Sequence, residues 1–183
     1  MTEIPDHYRR LSAAFTEKVA GVLPDRWESP SPCAGWSALD VVRHVVETHG
    51  MFLGLVGRAL PEDIPSVDDG PLAAWLVARD SVQADLDDPV WAQAEYDGAF
   101  GRSTFEKAVD GFLCFDQVVH GWDLARATGL DETIDPDEVG VITAHVEKMG
   151  DLLRTPGVCG PALDPPPDAD DQTRMLMLLG RRP

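Results

Sequence analysis

The spacing of apolar positions divides the chain into five main helical stretches. Leu11, Ala14, Phe15, Val19 and Val22 recur at helical intervals from Asp6 to about Val22, and Pro24 closes that stretch. "WESPSPCAGW" follows, with two Ser-Pro pairs and a Gly, and reads as irregular loop. Ser37-Ala-Leu-Asp40 has the spacing of a capping box, so a second helix starts there. Leu39, Val42, Val46, Met51, Phe52 and Leu55 carry it to about Leu60, where Pro61 and Pro65 break the pattern. Pro71 opens a third helix reaching about Leu86. From Pro89 to Arg102 the periodicity blurs, and "VWAQAEY" alternates loosely, as a short strand or an extended crossover would. A fourth helix runs from Thr104 to about Thr128, with Gly129 placed as a left-handed cap. The fifth covers Pro136 to about Leu153. After the Pro-rich "GPALDPPPDAD" comes a short terminal helix from about Thr173 to Leu179. The expected fold is all-α, a helical bundle with long connections, one of them a crossover. Residues 1–183 are expected to form a single domain.

The fourth helix carries a discordant stripe. At about 100° per residue, Phe105, Val109, Phe112, Asp116, His120, Asp123 and Ala127 share one face. Its first half is apolar and marks the inward side; its second half places two acids and an imidazole there. An unpaired carboxylate in such a position costs several kcal/mol or neutralises itself. A divalent cation removes the difficulty, because an acid and a His four residues apart reach one ion from one turn. The alternative is a stripe that drifts to the surface and ends in a solvated acid–imidazole pair.

His44 on the second helix bears on that choice. It shares a face with Val41, Thr48 and Leu55, and reads either as a satisfied core histidine or as the third ligand of the set. An open set of two imidazoles and a carboxylate suits a catalytic site better than a structural one. His49, five residues further on, points away from His44. His7 and His145 have no partner at ligand spacing. Glu47, one turn from His44, is a base candidate or part of a solvated face. Asp123 reads as an acceptor that orients His120 or as a partner of Arg126. Trp36 and Trp122 read as packing elements, and Cys33 as a small buried residue more than a reactive thiol.

Charge and cysteine usage narrow the partners. A net charge of −17 disfavours nucleic acid and anionic membranes through repulsion from phosphate. No basic start followed by an apolar run is visible, and no segment approaches the roughly 18 apolar residues of a membrane span. Cys33, Cys114 and Cys159 are odd in number and widely spaced, which points to reduced thiols in the cytoplasm.

Three motifs, "SPCAGWSALDVVRHVV", "HGWDLARATG" and "DDQTRMLMLLGRRP", resemble an uncharacterised bacterial family of metal-binding proteins. That family is related to the N-terminal domain of mycothiol-dependent maleylpyruvate isomerase, within the DinB/YfiT-like superfamily. The resemblance implies a DinB/YfiT-like four-helix bundle, here with a crossover connection and a short extra C-terminal helix. It implies His44, Asp116 and His120 as metal ligands, zinc as the metal, and mycothiol as co-substrate. The isomerase has a Glu where this chain has Asp116, and the chain is expected to lack the isomerase's additional C-terminal domain.

The expected function is that of a divalent-metal-binding enzyme dependent on a low-molecular-weight thiol, of isomerase or S-transferase type, acting on an electrophilic substrate. Nickel, iron or manganese also suit the ligand set. The alternatives are a metal-dependent hydrolase with Glu47 or Asp123 as base, and a non-catalytic metal-binding or sensor protein with a weak or empty site. A homodimer stays open, and the substrate is not legible.

Overall fold

The computed structural model describes residues 3–98, 101–150 and 159–183. They fall into two compact units, Met1–Asp131 and Glu132–Pro183. The first contains α1 (Glu3–Gly21), α2 (Ala38–Leu55), α3 (Pro71–Asp87) and the short α4 (Pro89–Ala92). It continues through β1 (Glu95–Gly98), β2 (Gly101–Thr104), α5 (Phe105–Ala108), a π-helical segment (Val109–Leu113) and α6 (Cys114–Thr128). The second contains α7 (Pro136–Met149) and α8 (Asp171–Leu178). The expected all-α bundle is what forms; the only sheet among the described residues is the two-stranded antiparallel β1–β2 hairpin.

In the first unit, α1 packs against α3 and α6, and α2 packs against the same two helices. Chain neighbours α1 and α2 are therefore diagonal partners. The long 22–37 connection crosses from one to the other, as the sequence suggested of one connection. The hairpin occupies the blurred segment: "VWA" forms the turn of α4, and "EYDG" pairs with "GRST" in the register Glu95↔Thr104.

Local chemistry sets the helix ends. The Ser37 hydroxyl accepts from the Asp40 amide at 3.2 Å and the Asp40 carboxylate accepts from the Ser37 amide at 2.9 Å, completing the box at the head of α2. Those hydrogen bonds, followed by the charge of Arg43, hold the Asp40 carboxyl below its ordinary range. α2 stops at Leu55, short of the expected Leu60, because Gly57 adopts φ 73°. Arg58 then donates to the Leu53 carbonyl at 2.9 Å and Gly57 to the Gly54 carbonyl at 3.1 Å, a Schellman closure. Gly129 caps α6 at φ 77°, as expected. The stretch expected to end α7 near Leu153 lies outside the described residues.

The fourth helical stretch is not continuous. Its π turn inserts one residue at 109–113, so the inward face shifts from Phe112 to Leu113, which is fully buried. Beyond it, Gln117, His120 and Leu124 face inward, and Asp116 sits on the flank, half-buried.

Two apolar clusters fill the bundle. One gathers Phe15, Val19, Val41, Val42, Val45, Trp75 and Leu124; the other gathers Tyr8, Leu11, Phe52, Leu53, Val82, Phe105 and Leu113. His49 lies between them, its ring 5.9 Å from Tyr8 and 5.1 Å from Trp75. It is fully buried, and burial pushes its imidazole down to about 4. The neutral ring is satisfied: Nδ1–H donates to the Val45 carbonyl at 2.7 Å, leaving Nε2 to accept from Gln117 at 3.3 Å. Ser12 in turn donates to the Gln117 carbonyl oxygen at 3.1 Å. A polar chain thus links α1, α2 and α6 through the core, and full pairing makes it tolerable there.

In the second unit, α7 and α8 pack together, with Val139, Ile142, Val146, Met175 and Leu176 buried. Gln172 accepts from the Ile134 amide at 2.9 Å and donates to the Glu132 carbonyl at 3.0 Å, tying the entry segment to α8. No described helix is long and apolar enough to cross a membrane.

Two outcomes follow from these ends and this core. Gly57→Ala is expected to lower stability by about 1 kcal/mol, because its φ is left-handed. Gly54→Ala, inside α2 with no atom within 4 Å of the added methyl, is expected to raise it by up to about 1 kcal/mol. Urea unfolding of both variants checks the pair. For His49, the unfolded ring takes a proton near 6.5 and the folded ring only near 4. The stability this supplies is complete above pH 6.5 and is lost as pH falls toward 4, in total on the order of 3 kcal/mol. His49→Gln is expected to flatten the fall in urea midpoint across that window; an unchanged slope contradicts it.

Candidate metal centre

His44 stands on the exposed flank of α2, four residues before Thr48, whose hydroxyl lies 3.5 Å from His44 Nε2. Asp116 and His120 stand one turn apart on α6, which packs against α2. The helix pairing brings the three side chains together. His44 Nε2 is 3.4 Å from Asp116 Oδ2, and His120 Nε2 is 3.9 Å from Asp116 Oδ1. The two imidazoles meet edge to face with centroids 4.8 Å apart. One donor atom from each residue lies within 4.8 Å of the others.

Exposure grades across the cluster, from 35% at His44 through 22% at Asp116 to 10% at His120. One side is open to solvent and the other is sealed in the bundle. Burial pushes the Asp116 carboxyl up, but its hydrogen bond to His44 and the charges of His120 and His44 outweigh that. The net direction is down, so Asp116 is ionised at neutral pH.

Asp123, fully buried, sets the orientation of His120. Its Oδ2 accepts from His120 Nδ1 at 2.9 Å and from the Cys33 thiol at 3.3 Å. A carboxylate can only accept, so the proton of the neutral ring is on Nδ1 and the Nε2 lone pair faces Asp116 and His44. That hydrogen bond is the contact an orienting role for Asp123 requires. Arg126 is exposed, with its guanidinium 6.0 Å from the Trp122 ring.

The loop before α2 contributes more than its sequence suggested. Trp36 lies 4.9 Å from the His44 ring and is stacked 6.0 Å from His120, forming a wall against both imidazoles. Cys33 reaches Asp123 from the same loop. A Ser31–Trp36 turn builds it, with Ser31 N–H donating to the Trp36 carbonyl at 2.8 Å and Gly35 at φ 81°. The one available signal was position: both residues lie a few places ahead of the capping box that starts the His44 helix.

The other candidates separate. Glu47 is exposed and joins none of the donor groups formed by the described residues, as a solvated face would have it. His49 is the core residue described above. His145 is half-buried on α7. His7, which has no partner at ligand spacing along the chain, meets Asp110 at 3.0 Å across 103 residues. Periodicity within one helix carries no trace of such a pairing.

Comparison with known proteins places the chain in a family. The family model described as "mycothiol maleylpyruvate isomerase N-terminal domain" matches residues 8–125, a span that includes His44, Asp116, His120 and Asp123. Two uncharacterised proteins of Mycobacterium tuberculosis, from strains CDC 1551 / Oshkosh and ATCC 25618 / H37Rv, are similar to the chain. Each is 30% identical over 153 residues, covering 82% of this chain and 81% of the relative. No solved structure matches. With the match extending over more than half its length, the chain belongs to the family of the mycothiol maleylpyruvate isomerase N-terminal domain.

Proposed function

We propose that the protein is a divalent-metal-binding enzyme that uses a low-molecular-weight thiol, mycothiol or a relative of it, in an isomerisation or S-transfer. The observation that carries this reading is the convergence of His44, Asp116 and His120, one donor atom of each within 4.8 Å of the others, inside the span matched to the family. Two imidazole nitrogens and an anionic oxygen converge there, and a shared cation that takes the place of the His44 proton is a partner for all three. The set fits: two imidazoles and a carboxylate suit zinc, with nickel, iron and manganese as further candidates.

His44, Asp116 and His120 would hold the cation. A divalent cation in such a site supplies Lewis acidity that lets a neighbouring thiol or water ionise near neutral pH. The chain's own residues do the rest. Asp123 keeps His120 in the tautomer that presents Nε2, and the Cys33 thiol steadies Asp123 through the second hydrogen bond. Trp36 excludes water from one side of both imidazoles and offers an aromatic face to a bound molecule. The solvent-facing His44 side leaves a route for thiol and electrophile to enter. Asp116 is shorter by one methylene than the Glu at that place in the isomerase; its separations of 3.4 Å from His44 Nε2 and 3.9 Å from His120 Nε2 support its place in the set. Cys33, Cys114 and Cys159 are not joined in disulfides, which accords with a reducing compartment, and the proposed location is the cytoplasm.

The reading is tested with zinc-loaded protein, a low-molecular-weight thiol and a panel of unsaturated carbonyl electrophiles. Turnover is expected only when metal and thiol are both present. His120→Ala is expected to lose it by roughly 100-fold or more while its circular dichroism stays that of the wild type. Turnover independent of thiol would favour hydrolysis, and absence of turnover across the panel would overturn the enzymatic reading.

A further inference from the structure

A second donor cluster lies apart from the first and shares no residue with it. His7 on α1, Asp110 in the π-helical segment and Cys114 at the head of α6 each place one donor atom within 4.8 Å of the other two. His7 Nδ1 is 3.0 Å from Asp110 Oδ1. Exposure falls steeply inward: 44% at Asp110, 19% at His7 and 2% at Cys114. The result is a nitrogen and an oxygen at the rim with a sulfur beneath them.

We propose that His7, Asp110 and Cys114 bind a borderline or soft divalent cation of the zinc class. The donor chemistry selects the ligand. Imidazole, carboxylate and thiol together disfavour magnesium and calcium, which take oxygen ligands, and favour zinc or cadmium. A His–Asp ion pair accounts for two of the residues; the cluster adds a buried thiol within 4.8 Å of both donor atoms. The location supplies a second argument. The π turn inserts a residue, rotating Asp110 by about 100° from its place on an uninterrupted helix continuing back from α6. π insertions recur at sites with a task beyond folding. A cation here fastens α1 to the junction of the π segment and α6, and so steadies the helix that carries Asp116 and His120. Binding to the folded state alone raises stability by mass action.

Cadmium is the direct probe, because a cadmium–thiolate bond absorbs in the ultraviolet. Titration of the metal-free full chain with cadmium is expected to produce this band in the wild type and equally in His44→Ala. Cys114→Ala is expected to abolish it. His7→Ala changes only a partly exposed side chain, so the variant is expected to fold, and it should weaken cadmium binding by about tenfold or more. Because the band in His44→Ala does not depend on the first cluster, failure there and failure here are read separately. A band that survives Cys114→Ala but is lost in Cys33→Ala would assign the soft site elsewhere and overturn the proposal. So would a band unaffected by His7→Ala, or no band at all.

Discussion

The hydrogen bond from His120 to Asp123 is the interaction on which the rest of the site depends. Asp123 is completely buried, and a charged carboxylate there would be costly without donors close at hand. Imidazole N–H at 2.9 Å and the Cys33 thiol at 3.3 Å supply two. In satisfying the acid they also fix the ring: Nδ1 is committed inward, so Nε2 faces the half-open space where Asp116 and His44 converge. A residue that looks expensive for the core thereby determines which lone pair the site presents. The loop that brings Cys33 also brings Trp36, so the orienting arm and the aromatic wall are parts of one local structure.

α6 carries two polar tasks on adjacent residues without confusing them. Gln117 points into the core and completes a neutral chain from Ser12 through His49 to the Val45 carbonyl. Asp116, one residue earlier, faces the rim and stays ionised. Burial sorts the two histidines of α2 in the same way. His49 is sealed between Tyr8 and Trp75, and its neutral form is enforced by desolvation. His44 stays partly exposed, 3.4 Å from the Asp116 carboxylate. Five residues of helix separate a core imidazole from one at the solvent-facing rim.

Much of this was legible in the sequence because it is local. The capping box at Ser37 and Asp40, the left-handed cap at Gly129 and the stripe that joins Asp116 to His120 all follow from spacing along one helix. His44 was recognisable as a candidate by its setting among valines, although its pairing with α6 came from the resemblance as much as from periodicity. What the spacing could not carry was anything created by the turn of a loop or an inserted residue. Gly57 ended α2 earlier than the prolines suggested, because a single left-handed residue suffices for a Schellman closure. The π turn moved the inward face by one position and left Asp116 on the flank. Cys33 and Trp36 reach the site through a tight turn, and His7 meets Asp110 through helix packing; no periodicity anticipates either.

The central claim is that His44, Asp116 and His120 hold a cation in the folded protein. Its most direct test is elemental analysis of zinc-equilibrated, desalted protein, with the wild type measured beside folded His120→Ala and His44→Ala. The account predicts that each variant retains one full equivalent of zinc per chain less than the wild type, whatever other sites contribute. Equal zinc content in all three would contradict it.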